Sequence, residues 1–340
     1  MGRARVAATS VLGVASPSGG RSCHYRGVQT AGEGVPFRWD LVTPDQLGSL
    51  LGGTGVPDLW FLNDLVACTG KVLARSADGD PVFVGRSLDS MFDLLGGALG
   101  DRTDGRQLRR LPLSFQRPGV GSWRRWHRRP LTPAEQAQAR RIFTAAGVTP
   151  HGLARRQRPV TFVDVVYRGS TFTDLFDLLR AWIDEERAPW PVVRRKIRFV
   201  GVTSQHKTSP NTYRWQQHPT WTRQLPARAV LNVSLHPAAW SSFGDHQTKL
   251  TRSFRPEQWL AEAPGPSRDE RTHQALAEAA HRTGRVRPQS DRPPRLSPRR
   301  RPRTHTRPTM ATYARHQPQH WMNAKRRAPT SRANALRHES

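Results

Sequence analysis

The chain has 340 residues and a formal net charge of +28, and hydrophobic residues make up 36% of it. Two cysteines, Cys23 and Cys68, are too few for a disulfide framework or a cysteine zinc site. No apolar run approaches the length of a membrane span, and Thr and Ser interrupt the apolar patch that would be needed for a signal peptide. The composition therefore predicts a soluble, cytoplasmic protein without membrane contact.

The first predicted elements follow an N-terminal segment, residues 1–35, that is rich in Gly, Ser and Ala and is predicted to be disordered. Thr43 followed by Pro44 is typical of a helix start. A second helix is predicted in PDLWFLNDLVACTGKVLARS and a short buried strand at Val82–Val84. A helix in LDSMFDLLGGALG and a strand in LRRLPLSF come next.

Helices and strands also alternate in the second half of the chain. Thr132 and Glu135 carry the signature of a capping box at the start of a helix. The apolar run at residues 160–166 is rich in β-branched residues and predicts a buried strand, and the leucines after it recur at helical spacing. Further strands are predicted in KIRFVGVTS and AVLNVSL. This alternation predicts an α/β domain over residues 36–262, with a doubly wound, mostly parallel sheet covered on both faces.

The last predicted segment, residues 263–340, is an Arg/Pro-rich tail. From His281 to Ser340 there are 16 Lys and Arg against 2 Asp and Glu, so these residues carry half of the net charge. The segment RPPRLSPRRRPRTHTRP cannot bury enough apolar surface to offset the entropy lost on ordering, which predicts a disordered tail. Its arginines would suit phosphate contacts, but a GC-rich genome produces the same composition without selection for binding.

The most specific motif is FVDVVYRGSTFTDLFDLLRAW, in which a buried strand passes through a short polar turn into a helix. Asp164 stands at the end of the strand. Gly169, Ser170 and Thr171 lie at the helix start, where backbone N–H groups and the helix dipole favour an anion. This pattern indicates a phosphate cradle. The alternative is an ordinary strand-turn-helix corner in which the same residues serve only as a helix cap.

Residues 160–172 of this motif resemble the PRPP-binding motif of type I phosphoribosyltransferases, in which an acidic pair, two apolar residues and a short Thr-Gly-rich loop follow a strand. The resemblance implies that Asp164 is the second acid and a catalytic residue. It also implies that Arg168, Gly169, Ser170 and Thr171 help to bind PRPP. Two departures from the family pattern are Val163, in place of the first acid, and Tyr167-Arg168, in place of small hydroxyl residues.

The same resemblance implies a pyrophosphate site in two other segments. Gly85, Arg86 and Ser87 fall on the tight turn after the first core strand. The basic segment QRPGVGSWRRWHRRP occupies the place of the family's flexible hood loop. Its arginines could stabilise the charge of the leaving group; they are Arg124, Arg125, Arg128 and Arg129. The alternative is a surface loop whose arginines snorkel around Trp123 and Trp126.

The segment HKTSPNTYRWQQHPTWTRQLP follows the predicted fourth strand and falls where the family often holds the acceptor base. Aromatic rings stack on bases, and Asn or Gln can hydrogen-bond their edges. His206 and His218 are candidate acid/base groups, although isolated histidines of this kind are more often structural. The tryptophans here could equally belong to the core.

The resulting prediction is a phosphoribosyltransferase-like protein of nucleotide metabolism. If active, it would transfer phosphoribosyl from PRPP to a nitrogen acceptor, with Mg²⁺ bound through PRPP and not directly by protein ligands. Because Val163 replaces one acid, a non-catalytic nucleotide or phosphosugar sensor is the near alternative, and an Arg-rich nucleic-acid-binding protein is the alternative from another class. The predicted partners are a phosphorylated ribose or nucleotide, nucleic acid held nonspecifically by the tail, and a second copy of the chain in a homodimer.

Overall fold

The computed structural model describes residues 35–39, 41, 50–51, 55–97, 103, 105–120, 127–205, 214–261 and 265–285. The predicted helix start at Thr43 and Pro44, the first 34 residues and the tail beyond residue 285 lie outside this part of the chain.

Seven strands are described, and five of them form one sheet. In chain order the strands are β1 (Asp80–Val84), β2 (Arg109–Leu111), β3 (Gly119–Val120), β4 (His127–Arg128), β5 (Val160–Val165), β6 (Ile197–Ser204) and β7 (Val230–Leu235). The sheet has the spatial order β2-β1-β5-β6-β7, and every neighbouring pair is parallel. The predicted parallel α/β sheet is thus confirmed. Strands β3 and β4 pair separately as a short antiparallel hairpin within the predicted hood segment.

The strands of the sheet alternate with helices. These are α1 (Leu62–Ser76), α2 (Asp89–Gly96), α3 (Pro133–Ala145), α4 (Pro150–Arg155), α5 (Ser170–Glu185), α6 (Trp190–Val193), α7 (Pro237–Ser241), α8 (Pro256–Trp259) and α9 (Glu270–Arg285). The capping box of α3 is formed as predicted: Thr132 Oγ1 accepts from the Glu135 N–H at 3.2 Å, and Glu135 Oε2 accepts from the Thr132 N–H at 2.7 Å.

A hydrophobic layer covers each face of the sheet. On β5, Val160 and Phe162 pack with α3, α4 and α5, whereas Val163, on the opposite side of the strand, packs with α1 and α2. This alternation follows from the two-residue period of a strand. It explains why four of the six residues of β5 are apolar, since both of its sides are buried.

The C-terminal boundary predicted for the domain is wrong. Residues assigned to a disordered tail form the 16-residue helix α9, which packs on α2. Ala275, Leu276 and Ala279 join Leu41 and Leu250 in a third apolar cluster. Arg282, only 2% exposed, donates to Asp93 of α2 at 3.2 Å. The high Arg content of the segment concealed an amphipathic helix, because one of its arginines is itself part of the buried interface.

Among the residues that the structure describes, no helix combines the length and the apolar character needed to cross a membrane.

Candidate ligand crevice at the switch point

The strand order reverses between β1 and β5, and we call the carboxyl edge at this switch point the crevice. From β1 the chain moves to β2 on one side, and the later strands β5, β6 and β7 extend on the other side. In doubly wound sheets, ligands bind outside the carboxyl ends of the strands at the point where the order reverses. Two segments singled out from the sequence, the Gly85–Ser87 turn and the loop from Val166 to Ser170, directly follow these two strands.

The turn after β1 is tightly held. Gly85 adopts a positive φ of 68°, and its N–H donates to Leu111 O at 2.7 Å. The Arg86 side chain is anchored by a 3.0 Å hydrogen bond from Nη1 to Thr251 O. Ser87 O accepts a hydrogen bond from Lys249 Nζ at 3.1 Å. Two cations from distant parts of the chain therefore meet at this turn.

The loop after β5 exposes Tyr167 and Arg168, and the Arg168 guanidinium lies 5.7 Å from the centre of the Tyr167 ring. Helix α5 then begins at Ser170 and Thr171. The first backbone N–H groups of a helix have no intrahelical acceptor, and Gly169, the N-cap residue of α5, has no side chain that could accept from them. The structure thus places uncapped N–H groups beside the crevice.

Gly169 is needed at this position because of the protein core. It has a φ of 77°, and a Cβ atom there would lie 2.3 Å from Trp215 Cε3. Trp215 also packs on Gly201 of β6 and donates from Nε1 to Asn232 Oδ1 at 2.8 Å. The close backbone approach expected of this glycine is therefore made by an indole ring.

Asp164 is 5% exposed. By alternation it faces the same side of the sheet as Phe162, next to Gly201 on β6. Its Oδ1 accepts a hydrogen bond from the Val165 N–H at 2.7 Å, and no salt bridge to Asp164 occurs in the part of the chain described. Burial raises the pKa of Asp164 to about 8, although Lys249 opposes the shift. At neutral pH the buried carboxyl therefore holds its proton.

The basic segment reaches the start of α5 through one of its predicted arginines. Arg128 donates to Ser170 Oγ at 2.7 Å and to Asp174 Oδ2 at 2.5 Å. Arg117, which was not singled out, donates to the other oxygen of Asp174 at 2.8 Å. The hairpin is thereby tied to the first turns of α5.

Arg129 points to a different place. It forms a paired contact with Glu135, at 2.7 and 2.9 Å, and this hydrogen bonding lowers the pKa of Glu135 to about 2. Arg129 is thus engaged with the capping box of α3. Arg124, Arg125, Trp123 and Trp126 lie outside the described residues.

Lys249 is the site residue that sequence reasoning missed. Besides Ser87 O, its Nζ contacts Gln247 Oε1 at 2.8 Å, and burial lowers the pKa of Lys249 to about 8. No motif surrounds it. The only available signal was its identity, because it is one of 5 lysines in a chain with 49 arginines.

Lys249 and Arg86 also line a cleft of about 400 Å³ that extends from the β1 turn to the start of α9. Arg252 and Arg271 add positive charge to its wall, and Asp269 caps α9 by accepting from the Thr272 N–H at 2.8 Å. This cleft, which includes Arg86 of the β1 turn, is large enough for a small charged ligand.

Beneath the cleft lies a network of buried ion pairs. Asp89 accepts from Arg110 Nη2 at 2.5 Å, and Asp93 bonds Arg38 as well as Arg282. Burial alone would raise the pKa of Asp89, but the neighbouring Arg110 and Arg38 hold it below its ordinary value. These contacts fix α2 and α9 around the β1 turn.

The predicted acceptor segment is largely structural where it is described. Trp215 and Trp221 are buried, and Trp221 stacks on Phe176 with ring centres 4.8 Å apart. His218 is exposed, and His206 lies outside the described residues. The aromatic rings that could have stacked on a base instead fill the core above β6.

No family model, curated protein or solved structure matches this chain. The described residues contain no group of three or more His, Cys, Asp or Glu side chains that could hold a metal ion.

Proposed function

We propose that this protein binds a phosphorylated ribose or nucleotide in the crevice between β1 and β5, with PRPP as the first ligand to test. The observation that carries the proposal is the meeting of two positive-φ glycine turns at the switch point, with Lys249 Nζ 3.1 Å from Ser87 O. The resemblance to type I phosphoribosyltransferases independently suggests the same two turns.

The two ends of such a ligand would meet different groups. The 5-phosphate would accept hydrogen bonds from the uncapped first turn of α5, with the Ser170 and Thr171 hydroxyls beside it. The more highly charged diphosphate end would lie toward Arg86 and Lys249, which are the cations at the β1 turn. Arg128 already contacts Ser170 and would supply a further donor.

The resemblance also implies Mg²⁺, which would enter bound to the diphosphate. Asp164 does not fit a role as a metal ligand, because it is buried and belongs to no group of three or more possible ligands among the described residues. Phosphate oxygens and water suit Mg²⁺ well. In this proposal the contribution of the chain is to hold the diphosphate through Arg86 and Lys249.

Asp164 also favours binding over phosphoribosyl transfer. A carboxylate that grips ribose hydroxyls must be ionised and within their reach, whereas this group is 5% exposed and its pKa is raised to about 8. With Val163 in place of the other acid, neither of the two acidic positions of the family motif holds an ionised carboxylate at neutral pH. We therefore propose that the protein is a sensor of phosphosugars or nucleotides and not an active transferase.

Calorimetric titration with PRPP, with and without Mg²⁺, tests the binding proposal. We expect saturable heat below about 1 mM ligand. Lys249→Met should weaken PRPP binding by about 10-fold or more, because it removes a charge-assisted contact to phosphate. Arg195→Met removes the same charge from the exposed segment between α6 and β6, and should change the affinity by less than about twofold. Absence of binding by the unaltered protein, or equal effects of both substitutions, would refute the site.

Transfer is tested separately by following pyrophosphate release from PRPP and Mg²⁺ over hours in the presence of purine and pyrimidine bases. The sensor proposal expects binding without release. Release above the rate without protein, abolished by Asp164→Asn, would establish the transferase instead.

A further inference from the structure

The amino edge of the sheet, opposite the crevice, carries five exposed arginines that belong to the turns before the strands. We call Arg155, Arg187, Arg194, Arg195 and Arg228 the amino-edge arginines. Arg155 ends α4 before β5, Arg194 and Arg195 follow α6 before β6, and Arg228 precedes β7. Arg187 lies in the turn that joins α5 to α6.

These turns lie side by side because β5, β6 and β7 are parallel neighbours. The turns before β5 and β6 are in direct contact. Lys196 Nζ donates to Gln157 O at 3.0 Å, and the Val160 N–H donates to Lys196 O at 2.7 Å. The turn before β7 contacts β6 through the Phe199 N–H, which donates to Ala229 O at 2.7 Å. At about 4.8 Å between strands, the three turns span about 10 Å.

The side chains of the amino-edge arginines have no partner among the residues that the structure describes. All five are exposed, and none of their side chains makes a hydrogen bond or ion pair with another residue in the described ranges. Several arginines elsewhere in the domain instead bind a carboxylate, namely Arg110, Arg117, Arg128 and Arg282.

The acidic residues on the same edge are already engaged. Asp78 accepts from Arg198 at 3.1 Å, Asp80 is bound by Arg156, and Glu186 Oε1 accepts from Trp182 Nε1 at 2.6 Å. Asp78 and Asp80 are neutralised by the arginines that bind them, whereas Glu186 keeps its charge because the indole N–H is neutral. Five exposed arginines against this one carboxylate leave the amino edge with a net positive charge. An uncompensated patch of this kind attracts polyanions over a distance set by the ionic strength.

The surroundings of the patch narrow the class of polyanion. Single strands are held by stacking on exposed aromatic rings, and membrane surfaces by inserted apolar side chains. The exposed aromatic residues found in the described chain are Trp60 and Tyr167, and both lie toward the carboxyl edge. Val192 is the one large apolar residue exposed near the patch within those ranges.

We propose that the amino edge binds the phosphate backbone of a nucleic-acid duplex through the amino-edge arginines, without base readout. Guanidinium groups suit bidentate contacts with phosphate. A duplex presents about one charge per 1.7 Å along its axis, so a 10 Å row of turns faces several phosphates at once. This activity is independent of the ligand crevice.

The test compares two variants of the full chain that lose the same charge. In the first, Arg187→Gly is combined with replacement by Gln of Arg155, Arg194, Arg195 and Arg228. In the second variant, Gln replaces five exposed arginines on the carboxyl-edge side of the sheet, namely Arg168, Arg252, Arg255, Arg268 and Arg271. Affinity for a fluorescent 20-base-pair duplex is measured by anisotropy between about 50 and 200 mM salt, the range over which counterion release is large. A thermal melt checks that both variants fold.

We expect the first variant to bind at least about 10-fold more weakly at low salt and to lose about 3 to 4 from the slope of log affinity against log salt, since each phosphate contact contributes about 0.9. The second variant should keep most of the slope. Equal losses in both variants would overturn the proposal and assign binding to overall charge. Unchanged duplex binding by the first variant would also overturn the proposal. If that variant at the same time lost binding to phosphatidylserine vesicles, the patch would be a membrane-binding surface instead.

Discussion

Two sets of arginines in this protein play opposite roles. At the carboxyl edge and beneath it, Arg38, Arg110 and Arg282 are buried or partly buried and paired with Asp89 and Asp93. At the amino edge, residues such as Arg194 and Arg195 are exposed without a partner in the described chain. A net charge of +28 counts these groups alike. The comparison teaches that only the first set is part of the fold, while the second is left for a partner outside it.

The largest test of this comparison is removal of α9. A chain that ends at Gly265 loses the apolar contacts of Leu276 and leaves buried Asp93 without Arg282. Asp93 keeps Arg38, but the loss of Arg282 together with the apolar contacts should cost about 3–5 kcal/mol or more, so we expect no cooperative thermal transition. A chain that ends at Pro288 keeps α9 and should melt as the full chain does. Equal melting of the two shortened chains would show that α9 is dispensable.

The next effect concerns Asp164 at the carboxyl edge. The folded carboxyl keeps its proton up to about pH 8, whereas an unfolded Asp loses it near about pH 4. The folded state therefore binds more protons in this window, and the free energy of unfolding should fall as the pH rises through it, by at most about 5 kcal/mol.

Asp164→Asn removes this titration, so the variant should be more stable than the parent at pH 8 and about equal to it near pH 4. Urea unfolding at several pH values measures the difference. Identical pH dependence in both proteins would mean that Asp164 is ionised in the fold.

The comparison between the edges is tested directly by two arginine substitutions. Arg110→Met leaves the buried Asp89 carboxylate without its closest cation and should cost about 3–5 kcal/mol. Arg195→Met removes an exposed charge without an internal contact and should change the free energy of unfolding by less than about 0.5 kcal/mol. Denaturant titration of both variants gives the two values. Similar losses of stability in the two variants would show that the buried, paired arginine contributes no more to the fold than the exposed one.

The smallest effect is at Arg187 on the amino edge. This residue adopts a φ of 52°, a region that costs residues with a side chain about 1–2 kcal/mol. Arg187→Gly should stabilise the protein by about 0.5–1 kcal/mol, after the larger entropy of glycine in the unfolded state is counted. Arg194, with an ordinary φ of −57°, is the control, and Arg194→Gly should destabilise slightly. Stabilisation by both would exclude backbone strain as the cause.

Much of the local structure could be read from short segments. The capping box at Thr132 and Glu135, the buried strand β5 and the apolar face of α5 follow from neighbouring residues, because caps and periodicity act over a few positions. The alternation of these elements was enough to predict a parallel sheet. The position of both candidate turns at strand ends was also readable, since it requires only the strand boundaries.

The side chains that line the candidate site could not be predicted from short segments. Lys249 reaches Ser87 from 162 positions along the chain, and Arg86 reaches Thr251 from 165. Such pairs leave no local pattern. The strand order, which puts β5 beside β1 and so opens the crevice, is likewise a property of the whole sheet.

The sequence by itself therefore determined the five strands of the sheet, helices α1, α2, α3 and α5, the parallel arrangement and the two turns that flank the crevice, because local spacing and capping specify them. Tertiary structure alone decided which arginines are internal, that residues 270–285 pack on α2, and that Gly169 accommodates Trp215. It also decided that Asp164 is a buried acid instead of an exposed one. The physical reason is that burial, and with it charge state and pairing, depends on residues far apart in the chain that only packing brings together.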